Sequence, residues 1–219
     1  QPTRQRFFHG HLFVMRTRIQ RLSLLLFACT LFPATVAAQQ ADHLLLTEVV
    51  TTPTAGEMVE IYNPTGAEIN LSDYYLYDAV FASGDTYYYN MVNDDPSGGG
   101  GFSDFNARFP SGASIAPGEY QTISIAGSDD FSATYGVQPT YELYEDGSSA
   151  DGIPDMREAT PGSINDQGGL TNGGEMVVVY TWDGASDIVQ DVDYVVWGDK
   201  NEGVSKTGVT TDGPDADSN

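Results

Sequence analysis

The sequence predicts an all-β fold, a sandwich of two sheets with long loops and one short helix. Apolar and polar residues alternate with the period of two that is typical of half-buried strands, most clearly at residues 59–62 and 69–71. Turn-forming residues separate these runs, with 24 Gly and 11 Pro in 219 residues. Only residues 128–136 carry both a helix start signal and a helix stop signal.

The first strands are expected at residues 43–50 and 59–62. Asn-Pro-Thr-Gly at 63–66 then interrupts the alternation, because Pro presets φ for a turn and Gly supplies a left-handed position. The alternation resumes at 69–71, and a third apolar run follows at 74–81. Consecutive strands joined by a tight turn predict a β-meander.

The middle of the chain continues with short elements. Strands are expected at 86–92, 120–126 and 141–144, from their β-branched and aromatic residues. The four glycines at 98–101 are expected to form a flexible surface loop, because the Lys and Ser/Thr of a phosphate-binding loop are missing. The helix at 128–136 has a Ser expected to cap its start, two Asp in its first turn, and a closing Gly.

The last two strands are expected to form a closing hairpin. Apolar runs at 176–182 and 188–197 flank Asp183-Gly184, a dipeptide favoured in hairpin turns. The polar loop at 145–171 that precedes them is long enough to have a function. The positions that we expect to be buried in the core are Val59, Ile61, Ile69, Leu71, Ile123, Ile125 and Val177.

These segments resemble the lamin tail domain. Thr-Glu-Val at 47–49, Val-Glu-Ile-Tyr-Asn-Pro at 59–64 and Ile-Asn-Leu-Ser-Asp-Tyr-Tyr-Leu at 69–76 are similar to the opening of that family. Residues 109–120 and 174–198 are similar to its central segment and its closing hairpin. The resemblance implies an immunoglobulin-like two-sheet β-sandwich over residues 43–198. The chain departs from the family pattern at 87–108 and at 145–172.

The N-terminal segment predicts export. Residues 1–14 precede the first Met and are interpreted as upstream translation. Residues 15–38 have the basic start, the apolar stretch and the small residues of a secretory signal peptide cleaved before Gln39. The alternative is a lipoprotein signal at Cys29, the only cysteine of the chain. We therefore expect a secreted or cell-surface protein of bacterial type, without a transmembrane segment.

The charge of the chain restricts its partners. The sequence has 9 Lys+Arg and 31 Asp+Glu, a formal net charge of −22. Removing the signal segment leaves 4 basic and 31 acidic residues, a net charge of −27. Such a surface repels polyanions, so nucleic acid is not an expected partner. Residues 199–219 are expected to be an acidic linker that is cut short.

Catalytic motifs are not recognisable in the sequence. His43 is the only histidine after the signal segment, so no Ser-His-Asp, Cys-His or His-rich zinc constellation can be assembled. Paired carboxylates for glycoside hydrolysis remain an alternative, but no motif places such a pair on facing strands. The sequence therefore predicts a protein that is not an enzyme.

A calcium site is the sharper hypothesis. Asp-Gly-Ile-Pro-Asp at 151–155 resembles the end of a thrombospondin type 3 calcium repeat, and hard oxygen ligands on short loops suit Ca²⁺. The expected ligands are Asp146, Asp151 and Asp155. Asp, Asp and Asn at 215, 217 and 219 have the spacing of half an EF-hand-like loop. The alternative is acidic loops without an ion, kept solvated by repulsion.

The predicted function is a secreted, non-catalytic module for binding or adhesion, with an unknown protein or polysaccharide as ligand. The tyrosines at 74, 75, 77 and 87–89 either point outward, where they would stack on a ligand, or cover the second sheet. The alternative function is an accessory domain of a longer extracellular hydrolase, of nuclease or phosphatase type, whose catalytic part lies beyond residue 219.

Overall fold

The structure, a computed structural model, describes residues 40–78, 87–93, 97–147 and 151–198. The predicted upstream segment, signal peptide and acidic linker lie outside the described residues, as does the end of the strand expected at 74–81.

Eleven strands and one α-helix make up the regular structure of the described residues. They are β1 (Leu45–Val50), β2 (Met58–Tyr62), β3 (Ile69–Asn70), β4 (Tyr74–Tyr77), β5 (Asn106–Arg108), β6 (Ser114–Ile115), β7 (Tyr120–Ser124), α1 (Ser128–Tyr135), β8 (Tyr141–Glu142), β9 (Arg157–Glu158), β10 (Gly174–Thr181) and β11 (Gln190–Gly198). Short 3₁₀ turns occur at Thr54–Gly56 and Tyr88–Asn93.

The strands form two main sheets. One has the order β1-β2-β7-β8 and the other the order β11-β10-β4-β5-β9, while β3 and β6 pair separately. All neighbours are antiparallel except β7 and β8. Apolar side chains from both sheets share one core, for example Ile61 and Ile123 from the first and Leu76 and Val177 from the second. The predicted all-β, two-sheet sandwich with one short helix is confirmed.

A second core covers the outer face of the five-stranded sheet. It consists of Tyr75, Tyr77, Tyr88, Tyr89, Met91, Met176, Val178, Tyr180 and Val189. The central strand β10 contributes to both cores, since Val177 and Val179 face the first sheet and their neighbours face the tyrosines. This two-sided burial explains the continuous apolar run of β10. The sequence left open whether the tyrosines at 74, 75, 77 and 87–89 point outward or cover a sheet. Four of these six are buried, namely Tyr75, Tyr77, Tyr88 and Tyr89, so these four cover the sheet.

The predicted β-meander is wrong. Strand β2 pairs with β1 and β7, whereas β3 pairs with β6 and β4 belongs to the opposite sheet. Asn63 explains the change of sheet, because its buried Nδ2 donates to Ala67 O at 2.8 Å and to Ile115 O at 3.0 Å. Its Oδ1 accepts from the N–H of Thr65 at 2.9 Å. These bonds compete with strand pairing and lead the chain across to β6.

Two further local predictions are corrected by packing. The strand expected at 86–92 is instead the 3₁₀ turn Tyr88–Asn93, which places Tyr88, Tyr89 and Met91 in the second core. The glycines expected in a surface loop approach another loop closely. A Cβ on Gly99 or Gly100 would overlap the backbone of residues 162–163, and both have positive φ.

The other predicted elements occur where expected, with differences at their ends. Six of the seven predicted core residues are fully buried, and only Ile69 is half-buried, since it lies in the small β3-β6 pair. The hairpin of β10 and β11 is confirmed, but its connection is longer than a two-residue turn. Asp183 organises this loop, because its Oδ1 accepts from the N–H groups of Ala185 and Ser186 at 2.9 and 2.7 Å.

Candidate functional site

An acidic cluster forms where β8 meets the loop that follows it. Glu142, Glu145 and Asp155 each bring one carboxylate oxygen to within 4.8 Å of the other two. The backbone sets this geometry through a parallel bridge between Glu142 and Asp155. Glu142 N donates to Pro154 O at 3.2 Å, and Met156 N donates to Glu142 O at 2.7 Å.

Glu142 is the buried member of the acidic cluster. Its side chain is fully inaccessible, and Oε2 accepts from the N–H of Ser128 at 2.9 Å. Oε1 has no hydrogen-bond donor. The pKa of the Glu142 carboxyl is raised to about 7, mainly by burial and in part by the neighbouring carboxyls of Asp155 and Asp151. Glu145 is half-buried and Asp155 is exposed, so the cluster opens from the protein interior to solvent.

Two nearby aspartates form hydrogen bonds with the first residues of α1. Asp146 Oδ2 accepts from the N–H of Asp129 at 3.0 Å, and Asp151 Oδ2 accepts from the hydroxyl of Ser128 at 2.5 Å. The N-cap position itself is Gly127, not the predicted Ser128, and no side chain of its own caps the helix. Gly127 has positive φ, and a Cβ there would overlap Asp146. Carboxylates at a helix N-terminus are favoured because its first N–H groups lack helical acceptors.

The predicted calcium ligands thus lie in two different places. Asp155 lies in the acidic cluster, whereas Asp146 and Asp151 bond to the start of α1. The predicted ligand set stays a prediction. Sequence reasoning missed Glu142 and Glu145, although an acid inside the apolar run Tyr-Glu-Leu-Tyr at 141–144 was a usable signal, because a strand seldom buries an unpaired carboxylate.

A second feature is a groove of about 310 Å³ between β1 and β11. These strands are the edges of the two main sheets. The walls of the groove include Leu46 and Val49 on one side and Val195 and Trp197 on the other. The indole N–H of Trp197 donates to Thr171 O at 2.9 Å, which fixes the orientation of the ring.

Asp78 is a third unusual acid, placed directly after β4. Its Oδ1 accepts from the N–H of Phe105 at 2.5 Å, and its Oδ2 has no donor. Complete burial raises its pKa well above the usual range, and the nearby carboxyls of Glu175 and Asp104 add to the effect. The acid is fully buried and lies on no accessible face.

Membrane insertion through a helix is not supported in the described ranges, where no helix has the length and apolar character needed to cross a bilayer.

Comparison with known proteins identifies the fold family. The chain is similar to a DUF4876 family protein from Bacteroides thetaiotaomicron VPI-5482 whose crystal structure is known at 2.50 Å resolution. The two share 17% sequence identity with a TM-score of 0.44, over 64% of this chain and 42% of that one. The similarity thus spans less than half of that protein. No curated protein is similar enough to be counted as a relative. The Lamin Tail Domain family model matches residues 37–199, which is most of the chain. The chain therefore belongs to the lamin tail domain family, and its sandwich is of the immunoglobulin-like type that the sequence predicts.

Proposed function

We propose that the chain is an exported, non-catalytic lamin tail module that binds a protein or polysaccharide outside the cell. The observation that carries the proposal is the groove between β1 and β11. It is a concave surface at the meeting edges of two sheets, lined by apolar side chains and one oriented indole. Concave, mainly apolar surfaces with a few fixed polar groups are where ligands usually bind.

The chemistry of the groove suits a neutral ligand. Trp197 offers an aromatic face for a sugar ring or an apolar side chain, and Leu46 and Val195 extend that surface. Glu48 also lines the groove, and the chain as a whole is strongly acidic. A polyanion would therefore be repelled from this surface.

The position of His43 favours binding over catalysis. His43 precedes β1, and its Nδ1 lies 3.1 Å from the exposed Oδ1 of Asp42. It does not line the groove. A general base has to reach the reacting group of a bound substrate. His43 is the main candidate for a general base, and it would not reach a ligand held in the groove.

The test is affinity electrophoresis of the purified protein in gels that contain soluble polysaccharides, together with a peptide array. Trp197→Ala and Glu48→Trp should both lose binding, the first by removing the aromatic face and the second by placing a large side chain on an exposed groove position. Phe102→Ala is the matched aromatic control, since Phe102 is fully exposed outside the groove. Loss of binding in Phe102→Ala alone, or equal binding by all three variants, would refute a ligand site in the groove.

Export is tested separately by mass spectrometry of the protein secreted from its native host. A mature N-terminus at Gln39 is expected. Lipid attached to Cys29 would indicate the lipoprotein alternative. Sequencing the gene beyond codon 219 tests the other alternative, an accessory role beside an extracellular hydrolase, which requires a hydrolase domain in the same reading frame.

A further inference from the structure

The fully buried Glu142 leaves one carboxylate oxygen unsatisfied. Its Oε2 is bonded to the N–H of Ser128, but Oε1 has no donor. A buried polar atom without a partner is costly, and native proteins satisfy nearly all such atoms with protein groups, water or ions. Oε1 therefore needs a partner that carries positive charge or a donor hydrogen.

The other members of the acidic cluster cannot supply one when they are ionised. Glu145 and Asp155 each place a carboxylate oxygen within 4.8 Å of a Glu142 carboxylate oxygen, and an ionised carboxylate only accepts hydrogen bonds. The salt bridges of His43 with Asp42 and of Arg108 with Asp73 do not involve the acidic cluster.

We propose that Glu142, Glu145 and Asp155 form a binding site for a divalent cation of the calcium type. Calcium lies 2.3–2.6 Å from its oxygen ligands, so two ligands on opposite sides of the ion are about 5 Å apart. The Glu142, Glu145 and Asp155 oxygens lie within 4.8 Å of one another, so one ion can reach all three at that ligand distance. Magnesium, with ligands at 2.0–2.1 Å, requires opposite oxygens about 4 Å apart in a near-ideal octahedron. The exposure of Asp155 leaves space for water to complete the coordination.

Such an ion would tie three parts of the fold together. Glu142 lies on β8 and also bonds to the start of α1, while Asp155 belongs to the loop that returns beside β8. The ion would replace the mutual repulsion of three carboxylates by shared coordination. The site is separate from the groove between β1 and β11, so it goes beyond the proposed ligand binding and does not depend on it.

The test compares two pairs of substitutions that remove the same charge. Glu145→Gln with Asp155→Asn removes two proposed ligands at accessible positions. Asp146→Asn with Asp151→Asn removes two nearby carboxylates that bond to the start of α1 and are not ligands in the proposed site. The measurements are calorimetric titration of the purified protein with CaCl₂ and the melting temperature with CaCl₂, MgCl₂ or NaCl at equal ionic strength, because salt alone relieves repulsion in an acidic chain.

The parent protein should bind about one calcium ion with a Kd of roughly 10⁻⁴ to 10⁻³ M, in the range of extracellular calcium modules. Calcium should raise its melting temperature more than magnesium does. The Glu145/Asp155 variant should lose at least about tenfold in affinity, a loss of at least about 1.4 kcal/mol, and the Asp146/Asp151 variant should retain binding. The proposal is overturned if the parent does not bind calcium, if both variants respond like the parent, or if only the Asp146/Asp151 variant loses binding.

Discussion

Replacing Tyr180 by Phe should destabilise the protein although it removes a single oxygen atom. Tyr180 is fully buried in the second core, and its hydroxyl donates to Asn106 Oδ1 at 2.8 Å. The Nδ2 of Asn106 in turn donates to the backbone oxygen and the hydroxyl of Ser97, at 3.3 and 3.1 Å. The hydroxyl therefore belongs to a network that fastens the glycine-rich loop to β5 and β10.

The magnitude follows from what the substitution leaves behind. The ring of Tyr180 lies 4.8 Å from the rings of both Tyr75 and Tyr88, and Phe preserves these contacts. The loss is the hydrogen bond, which leaves Asn106 Oδ1 buried without its donor. A buried polar group abandoned in this way costs about 1–3 kcal/mol. For a domain of this size the melting temperature should fall by about 2–4 °C for each kcal/mol.

The assay is urea unfolding followed by tryptophan fluorescence. Tyr120→Phe is the matched control, because Tyr120 is 56% exposed and stacks on Tyr62 at 4.3 Å. It should change the free energy of unfolding by less than about 0.5 kcal/mol. A double-mutant cycle with Asn106→Ala should give a coupling energy of about 0.5–3 kcal/mol with Tyr180→Phe. Equal unfolding midpoints for Tyr180→Phe and Tyr120→Phe would refute the network.

Three further predictions concern the core, the glycine-rich loop and a buried acid. Ile61→Ala should lower the free energy of unfolding by about 2–5 kcal/mol, and Ile69→Ala by clearly less, because only Ile61 is fully buried; equal losses in urea unfolding would contradict the burial argument. Gly100→Ala should lower the melting temperature, because Gly100 has a positive φ and the facing backbone leaves no room for a Cβ. Gly101→Ala should leave the melting temperature unchanged, because a Cβ at Gly101 would meet open space. The raised pKa of Asp78 means that its stabilising contribution is complete below its unfolded pKa of about 3.9 and is lost as pH rises through its folded pKa. Asp78→Asn should therefore gain stability relative to the parent as pH rises, and parallel pH profiles of the melting temperature would count against this.

The sequence alone determined the fold class and most of the buried faces. Val59, Ile61 and Ile123 are predicted as core residues from alternation, and all three are fully buried. This succeeds because the period of two follows from the geometry of a single strand, so it does not depend on which strand lies next to it. The short helix is equally local, and its closing Gly136 has the left-handed conformation that such a stop signal requires.

The tertiary structure alone decided which strands pair and where the acids meet. The meander failed because Asn63 bonds to a carbonyl 52 residues away, at Ile115, and no local pattern reveals that partner. The residues around 88–91 have β propensity, but burial of their tyrosines against the second sheet favours a 3₁₀ turn. Glu142 and Asp155 come together through a backbone bridge across a loop, so sequence spacing selects a different ligand set. Each of these outcomes depends on contacts between distant segments, which exist only once the chain has folded.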